Sequence, residues 1–159
     1  MSLLYTEELL CYNCPMSDIE KRALDFMKSM RPCVIATADS NGKTEAAMVY
    51  GFTNDDFSVY LSTNSNSRKM ENIRKNSAGS VVFADSEKMI TVQMDGNIAV
   101  LEGEEAQKAK GAILSTDPTQ KMYVAQEPIT FMKFTPSWMR FGAFLDTPST
   151  IHEKSFNVY

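Results

Sequence analysis

Alternation of apolar and polar residues restricts the fold of this chain more than any other feature. The longest alternating run is Met89–Gly103, and its period of two is typical of a strand with one buried face. Gly96 interrupts the run, where a long strand would bend or form a bulge around a barrel. Five apolar residues of the run share one parity and are predicted to face the core: Ile90, Val92, Met94, Ile98 and Val100.

Shorter segments repeat this pattern, and the first two are joined by Asn41-Gly42, a strong hairpin signal. Three helices accompany them, the first after a capping box formed by Ser17 and Glu20. Six or seven strands with few helices favour a closed or nearly closed antiparallel barrel over a doubly wound sheet. The strands are predicted at Cys33–Asp39, Thr44–Phe52, Phe57–Thr63, Gly79–Ala84, Ile129–Thr135 and Trp138–Leu145, and the helices at Asp18–Met30, Ser67–Lys75 and Glu104–Leu114.

The whole chain is predicted to form one domain. Its 159 residues are 43% hydrophobic and 23% charged, a composition typical of a globular protein that buries a continuous core. We expect an N-terminal helix over residues 17–30, a barrel core over residues 33–145, and a tail over residues 146–159 whose periodicity is weak. The sequence contains no internal repeat and no linker that would divide it.

The charge balance excludes several classes of function. A net charge of −4 and a pI near 5.0 give no general attraction to nucleic acid or to an anionic membrane, so any anion site must be local. No apolar run is long enough to cross a membrane, and the opening residues carry acids where a signal peptide carries bases. We therefore expect a cytoplasmic protein without nucleic-acid or membrane partners.

The cysteines and the single histidine indicate neither a metal site nor a hydrolase. Cys11, Cys14 and Cys33 are one ligand short of a four-cysteine zinc site, and reduced thiols without a role are favoured over a redox pair at Cys11 and Cys14. His152 alone cannot form a catalytic triad or a multi-histidine metal site, although a single axial haem ligand stays open. We predict neither a catalytic side chain nor a bound metal.

The segment Thr63–Lys69 carries the strongest functional signal. It leads from a strand into the first turn of a helix, where free backbone N–H groups and a partial positive charge normally attract acidic residues. Arg68 and Lys69 stand there instead. A phosphate would supply the missing negative charge, and backbone N–H groups, the Ser67 hydroxyl and both cations would bind it. The alternative is that the two cations simply extend into solvent.

The same segment resembles the FMN-phosphate site of the pyridoxamine 5′-phosphate oxidase-like family of split-barrel flavoproteins. The resemblance implies a mainly β fold with flanking helices, a six- to seven-stranded antiparallel split β-barrel, and FMN as the cofactor. The strand order and the Met94-Asp95-Gly96-Asn97 bend extend it from about Cys33 to Leu145. The residues that carry it are Tyr60-Leu61-Ser62-Thr63-Asn64 and, two residues later, Ser67-Arg68-Lys69, followed by Ile73, Asn76 and an apolar strand.

The resemblance also implies an assembly and a set of binding residues. In this family the flavin lies at a homodimer interface, so a homodimer is the implied assembly. Carried over by position, Arg68 and Lys69 would bind the phosphate with the help of Ser67. Ser62 and Thr63 would contact the flavin, and Ala47 and Met48 would lie beneath its ring. Gln93 would replace the family's glutamine, whose matching position in this sequence is Thr91. Trp138 of the partner subunit would flank the ring, and the alternative for Trp138 is a position in the core.

Two departures separate this chain from true pyridoxamine phosphate oxidases. Those enzymes have an arginine where Ala47 stands, and a C-terminal Arg-x-His motif that Arg140 and His152 are too far apart to form. The cofactor is therefore carried over but the substrate is not. We predict an FMN-dependent oxidoreductase acting on an unknown small molecule. The alternatives are a flavin store or sensor without turnover, and a relative that binds haem or coenzyme F420 in the same barrel.

Overall fold

The computed structural model describes residues 15–126 and 128–157, and these residues form four helices and seven strands. The predicted boundaries of the first two helices agree with it within one residue. The helices are α1 (Asp18–Ser29), α2 (Arg68–Lys75), α3 (Gly103–Thr116) and α4 (Gln120–Gln126). The strands are β1 (Cys33–Ala38), β2 (Thr44–Thr53), β3 (Val59–Asn64), β4 (Ala78–Asp85), β5 (Ile90–Val100), β6 (Ile129–Ala143) and β7 (Thr150–Ser155).

The strands form one antiparallel sheet that closes into a barrel. Its order is β3-β2-β1-β4-β5-β6-β7, and β3 also pairs with β6. The first half of β6 pairs with β3, and its second half pairs with β7. Six strands therefore close the barrel and β7 extends it, which confirms the mainly β, antiparallel split barrel predicted above.

The predicted bend at Gly96 is a β-bulge between β5 and β6. The register shifts between Asp95 and Gly96, so that Gly96 lies opposite Pro136. A Cβ atom on Gly96 would lie 2.1 Å from the Thr135 carbonyl oxygen, so only glycine permits this backbone approach. A proline at such a bulge interrupts no regular ladder bond. The prediction that Pro136 and Ser137 separate two strands is therefore wrong, because β6 runs through them as one strand.

Apolar side chains fill the inside of the barrel. Alternate residues of β6 supply four of the most deeply buried ones, and α1 packs on the same core through Leu24, Phe26 and Met27. A second, smaller cluster lies outside the barrel, where α3 packs on β2, β3 and β6. The buried members of that second cluster are Tyr60, Leu101, Ala109 and Ile113.

The alternation along β5 places its side chains largely as predicted. Val92, Met94 and Ile98 are buried and Ile90 is partly buried, but Val100 is exposed at the end of the strand. The weakly periodic tail contains β7, whose side chains alternate between half-buried and exposed rather than between buried and exposed. Within residues 15–126 and 128–157, no helix has the length and hydrophobicity that crossing a membrane requires.

Candidate functional site

The turn between β3 and α2 is fixed by hydrogen bonds to the start of β6. Ser65 donates its backbone N–H to the Pro128 carbonyl oxygen at 2.7 Å, and the Ser65 hydroxyl lies 2.8 Å from that of Thr130. Arg74 of α2 donates to the Ser65 carbonyl oxygen at 3.2 Å. The barrel therefore holds this turn in one geometry, which lowers the entropy lost when a ligand binds to it.

Helix α2 begins at this turn without the usual side-chain cap. Ser67 is the N-cap residue, yet its hydroxyl accepts no hydrogen bond from the helix. The Ser67 Oγ atom is buried and has no hydrogen-bond partner among the described residues. A buried hydroxyl without a partner costs about 1–3 kcal/mol, which a ligand group at this position would recover. With Arg68 and Lys69 as its first residues, this helix end is suited to an anion.

A cleft of about 280 Å³ lies between β2, the end of β3, the start of α2, and α4. Ser62 lines the cleft and is only 4% exposed, yet its hydroxyl has no hydrogen-bond partner in the described part of the chain. Lys69 lines the same cleft. Because buried polar side chains are nearly always hydrogen-bonded, the orphaned hydroxyl indicates a ligand site. The lining residues are Met48, Val49, Tyr50, Ser62, Thr63, Lys69, Gln120 and Tyr123.

Four residues singled out from the sequence thus meet in one place: Met48, Ser62, Thr63 and Lys69. They come from three elements, and the barrel brings them together because β2 pairs with β3 while α2 follows β3 directly. Tyr50 lies directly opposite Ser62 in this pairing, which explains why it lines the cleft as well.

The other wall of the cleft comes from α4, which the sequence analysis did not predict. Gln120 is 7% exposed and Tyr123 is 40% exposed, and both line the cleft. The sequence predicts that Asp117-Pro118 ends α3, but an acid followed by proline is also typical of a helix start. The Asp117 carboxylate indeed accepts a hydrogen bond from the Thr119 backbone N–H, just before α4 begins.

Arg68 does not line this cleft, although it is next to Lys69 in sequence. Its Nε donates to the Glu45 carboxylate at 2.9 Å, on the other side of the helix start. Arg68 and Glu45 line a separate hollow of about 110 Å³, together with Glu71 and Asn72 of α2. The two cations that were expected to share one anion are therefore directed to different surroundings.

Three further predicted residues lie away from the cleft lining. Ala47 is half-buried on β2 and is not among the residues that line the cleft, although Met48 and Val49 are. Gln93 and Trp138 lie on the outer face of β5 and β6, and neither lines the cleft. Trp138 is half-buried there rather than in the core.

The outer face of β2, β1 and β4 bears apolar side chains that no described helix covers. Met48 is 67% exposed and lies opposite Val34, which is also exposed and in turn lies opposite Val82. The row continues to Gln93 on β5. The equivalent outer face of β3 is instead covered by α3. An exposed apolar row of this kind is typical of an interaction surface.

The remaining reactive side chains in the described part of the chain do not form a second site. The His152 Nε2 atom is buried and lies 3.8 Å from the Glu20 carboxylate, between α1 and β7. Burial raises the pKa of the Cys33 thiol to about 12, so it is an inert core residue. Cys11 and Cys14 lie outside the described residues, and within the described ranges no group of histidine, cysteine or carboxylate side chains is placed to hold a metal ion.

The comparison with family models identifies one family. The family model described as pyridoxamine 5′-phosphate oxidase matches residues 19–142. No curated protein matches this sequence significantly. Among solved structures, a pyridoxinephosphate oxidase-family protein from Clostridium acetobutylicum, related to general stress protein 26, has a TM-score of 0.67 at 21% identity, covering 85% of this chain and 92% of that one.

Two other solved structures differ in the ligand named for them. A pyridoxamine 5′-phosphate oxidase-related, FMN-binding protein from Nostoc punctiforme has a TM-score of 0.62 at 12% identity, covering 92% of this chain and 99% of that one. A heme binding protein from Mycobacterium smegmatis has a TM-score of 0.70 at 16% identity, covering 84% of this chain but only 56% of that one. At these identities the likeness shows a shared fold.

Proposed function

This chain belongs to the pyridoxamine 5′-phosphate oxidase family, and we propose that it binds FMN, with the phosphate at the start of α2 and the ring beside β2. One observation carries the proposal: two buried hydroxyls have no partner among the described residues, that of Ser67 at the start of α2 and that of Ser62 in the cleft that Lys69 also lines. A phosphorylated ligand with a polar chain would satisfy both hydroxyls and the helix end together.

The cleft has the mixed character that a flavin requires. Met48 and Tyr123 offer an apolar and an aromatic surface, on which a planar ring would pack. Thr63 and Gln120 add polar groups to the lining. The volume of the cleft, about 280 Å³, lies just below the range of about 300–1,000 Å³ that is usual for ligand pockets. The ring would therefore extend beyond the cleft over the exposed part of β2.

The surroundings of His152 favour flavin over haem. The Nε2 atom of this histidine is enclosed beside Glu20 and so is not presented to an iron ion. His152 is also not among the residues of the cleft. Coenzyme F420 would place a phosphate at the same turn, and its absorption spectrum distinguishes it from FMN.

We propose further that the flavin lies at the interface of a homodimer. The row formed by Met48, Val34 and Val82 is apolar and begins at a residue that lines the cleft. Two-fold dimers are the commonest assembly of soluble proteins, and an apolar sheet face left bare by the helices is suited to a second copy. In such a dimer the partner's Trp138 would flank the ring.

With FMN bound, hydride and electron transfer would be the chemistry of the cofactor. The residues of this chain would then hold the phosphate, orient the ring and exclude water, which explains why no catalytic side chain was predicted. An oxidoreductase that acts on a small molecule is therefore the function that we propose. A flavin store would bind FMN equally well but would not turn over; reduction of the bound FMN by NADH or NADPH, followed by reoxidation, separates the two.

The first experiment is an absorption titration of the purified protein with FMN and with riboflavin, which lacks the phosphate. We expect FMN to bind more tightly than riboflavin, and we expect Lys69→Ala to remove most of that preference. Lys108→Ala, an exposed lysine on α3, is the matched control. If saturating FMN does not bind to the unaltered protein, the proposal fails.

The dimer is tested separately by light scattering on Val34→Glu, since Val34 lies at the centre of the exposed row. We expect the unaltered protein to have twice the mass of the chain and the variant to be a monomer, because burying an unpaired carboxylate in an interface is strongly unfavourable. Val100→Glu is the control, because Val100 is equally exposed but lies at the end of β5. A monomeric unaltered protein would overturn this part of the proposal.

A further inference from the structure

Glu45 is a carboxylate placed next to the helix start that is proposed to bind phosphate. It lies on β2, and its side chain is only 15% exposed. Its Oε2 atom accepts a hydrogen bond from the Arg68 Nε atom at 2.9 Å, whereas the Arg68 side chain is 67% exposed. A largely buried carboxylate thus has a single ion-pair partner among the described residues, and that partner is one of the two cations of the proposed site.

The position of Glu45 is fixed by the barrel. In the sheet it pairs with Thr37, whose hydroxyl accepts a hydrogen bond from Asn72 of α2. These contacts keep β2 and α2 together on the side of the helix start opposite to the cleft. The backbone of Glu45 is therefore held close to the start of α2.

We propose that Glu45 competes with the phosphate of the ligand for Arg68, and so determines how strongly the site prefers a phosphorylated flavin. This inference rests on the proposed function. Moving Arg68 toward a phosphate would leave the Glu45 carboxylate desolvated and unpaired, which is strongly unfavourable. In the unaltered protein Lys69 therefore contributes most of the charge recognition, and Arg68 contributes little.

The competition predicts that the effect of Arg68 depends on Glu45. Replacing Glu45 by glutamine keeps the size of the side chain and removes its charge, which frees Arg68 for the phosphate. Charge-assisted hydrogen bonds are about twice as strong as neutral ones, so we expect Glu45→Gln to tighten FMN binding roughly tenfold. Riboflavin binding is expected to change less than about twofold, since riboflavin has no phosphate.

The test is a double-mutant cycle in which FMN and riboflavin affinities are measured for the unaltered protein, Glu45→Gln, Arg68→Ala and the double variant. We expect Arg68→Ala alone to weaken FMN less than about threefold, but to cancel the whole gain when added to Glu45→Gln. Glu71→Gln is the control for charge removal, because Glu71 lines the same hollow. We expect this control to leave the preference for FMN unchanged.

Two results would overturn the inference while leaving the proposed function intact. The first is FMN binding that does not tighten in Glu45→Gln. The second is a gain that persists in the double variant or appears equally in Glu71→Gln, because the carboxylate would then act only through its charge and not through Arg68. Failure of the unaltered protein to bind FMN would instead contradict the proposed function itself. Circular dichroism of each variant verifies that the barrel is folded.

Discussion

Helices α1 and α2 both begin with a serine in extended backbone conformation, but only one of these serines caps its helix. Ser17 has φ −68° and ψ 162°, and Ser67 has φ −77° and ψ 152°. The Ser17 hydroxyl accepts the Glu20 backbone N–H at 3.3 Å, while the Glu20 carboxylate accepts the Ser17 N–H at 2.8 Å. The Ser67 hydroxyl has no such partner.

The difference follows from the residues of the first turn. In α1 the third helical residue is Glu20, whose carboxylate completes the capping box. In α2 the same position is Met70, which is fully buried in the core and so leaves no room for an acid. The preceding positions hold Arg68 and Lys69. The comparison shows that a capping box closes the start of α1, whereas the start of α2 leaves the Ser67 hydroxyl without a partner among the described residues.

The strongest test of this comparison is Lys69→Glu, which places an acid in the first turn of α2. We expect FMN binding to weaken by at least about 100-fold, because an attractive charge becomes a repulsive one at the phosphate. We expect stability to stay constant or to rise by a few tenths of a kcal/mol, because an acid is favourable at a helix N-terminus. A fluorescence titration with FMN and urea unfolding measure the two quantities; a parallel loss of both would contradict the assignment of α2.

The next largest effect is expected for Ser17→Ala at the capped helix. Loss of the capping box should lower the free energy of unfolding by about 1–2 kcal/mol. Affinity for FMN should not change, because α1 is not part of the cleft. The measurement is the shift of the urea midpoint at constant slope. A stability unchanged by this substitution would show that Lys154 and the core packing hold α1 without its cap.

Ser67→Ala is the matched substitution at the open helix start. We expect its free energy of unfolding not to decrease and to increase by up to about 1–3 kcal/mol, because the substitution removes a buried hydroxyl without a partner and breaks no hydrogen bond. FMN binding should weaken about threefold to tenfold through loss of one hydrogen bond to the phosphate. The same urea and FMN titrations apply. A destabilisation as large as that of Ser17→Ala would remove the distinction between the two helix ends.

The smallest effect concerns the ion pairs that hold α1. Arg22 of α1 donates two hydrogen bonds to Asp146, and with a further bond from Thr150 this lowers the pKa of that carboxyl from 3.8 to about 2. The pair therefore stabilises the fold above pH 3.8, and this contribution is lost as the pH falls toward about 2. We expect the urea midpoint to fall in that window, and to fall less in Asp146→Asn. An equal decrease in the variant would contradict the role of this pair.

Glu20 contributes to the same acid sensitivity. Burial alone would raise the pKa of its carboxyl, but hydrogen bonds from Lys154 and the Ser17 N–H outweigh this and lower it. Stability that depends on Glu20 is accordingly present above its unfolded pKa and decreases as the carboxyl is protonated. The capped start of α1 is therefore acid-sensitive.

Much of the fold could be predicted from the sequence because the signals are local. Alternation of apolar and polar residues predicted β1 to β5, Asn41-Gly42 predicted the hairpin, and Gly96 predicted the bulge, whereas β7 was not predicted because the periodicity of the tail is weak. Pro136 misled the prediction, since only its pairing with the bulge shows why the strand continues through it. Helix α4 was missed because Asp117-Pro118 can either end or begin a helix, and so the contribution of Gln120 to the cleft was missed too.

The candidate site was predictable where it depends on neighbours in sequence. The Thr63–Lys69 turn and the unusual cations of α2 were identified from local physics and from the resemblance. The separation of Arg68 from Lys69 was not predicted, because it depends on Glu45 of β2, which precedes Arg68 by 23 positions in the sequence. Contacts of that kind are set by strand register, which a single sequence does not reveal.

The pairing of β6 with β3 also has a consequence for folding kinetics. The hydroxyls of Ser65 and Thr130, which hold the turn, are 65 positions apart in the chain, and β3 lies beside β6 only when the barrel is closed. Contacts of high contact order form late, because a long loop must lose its entropy first. During synthesis on a ribosome, the turn would therefore acquire its binding geometry only after β6 has emerged. A nascent chain arrested before β6 should not retain flavin, whereas one arrested after it should.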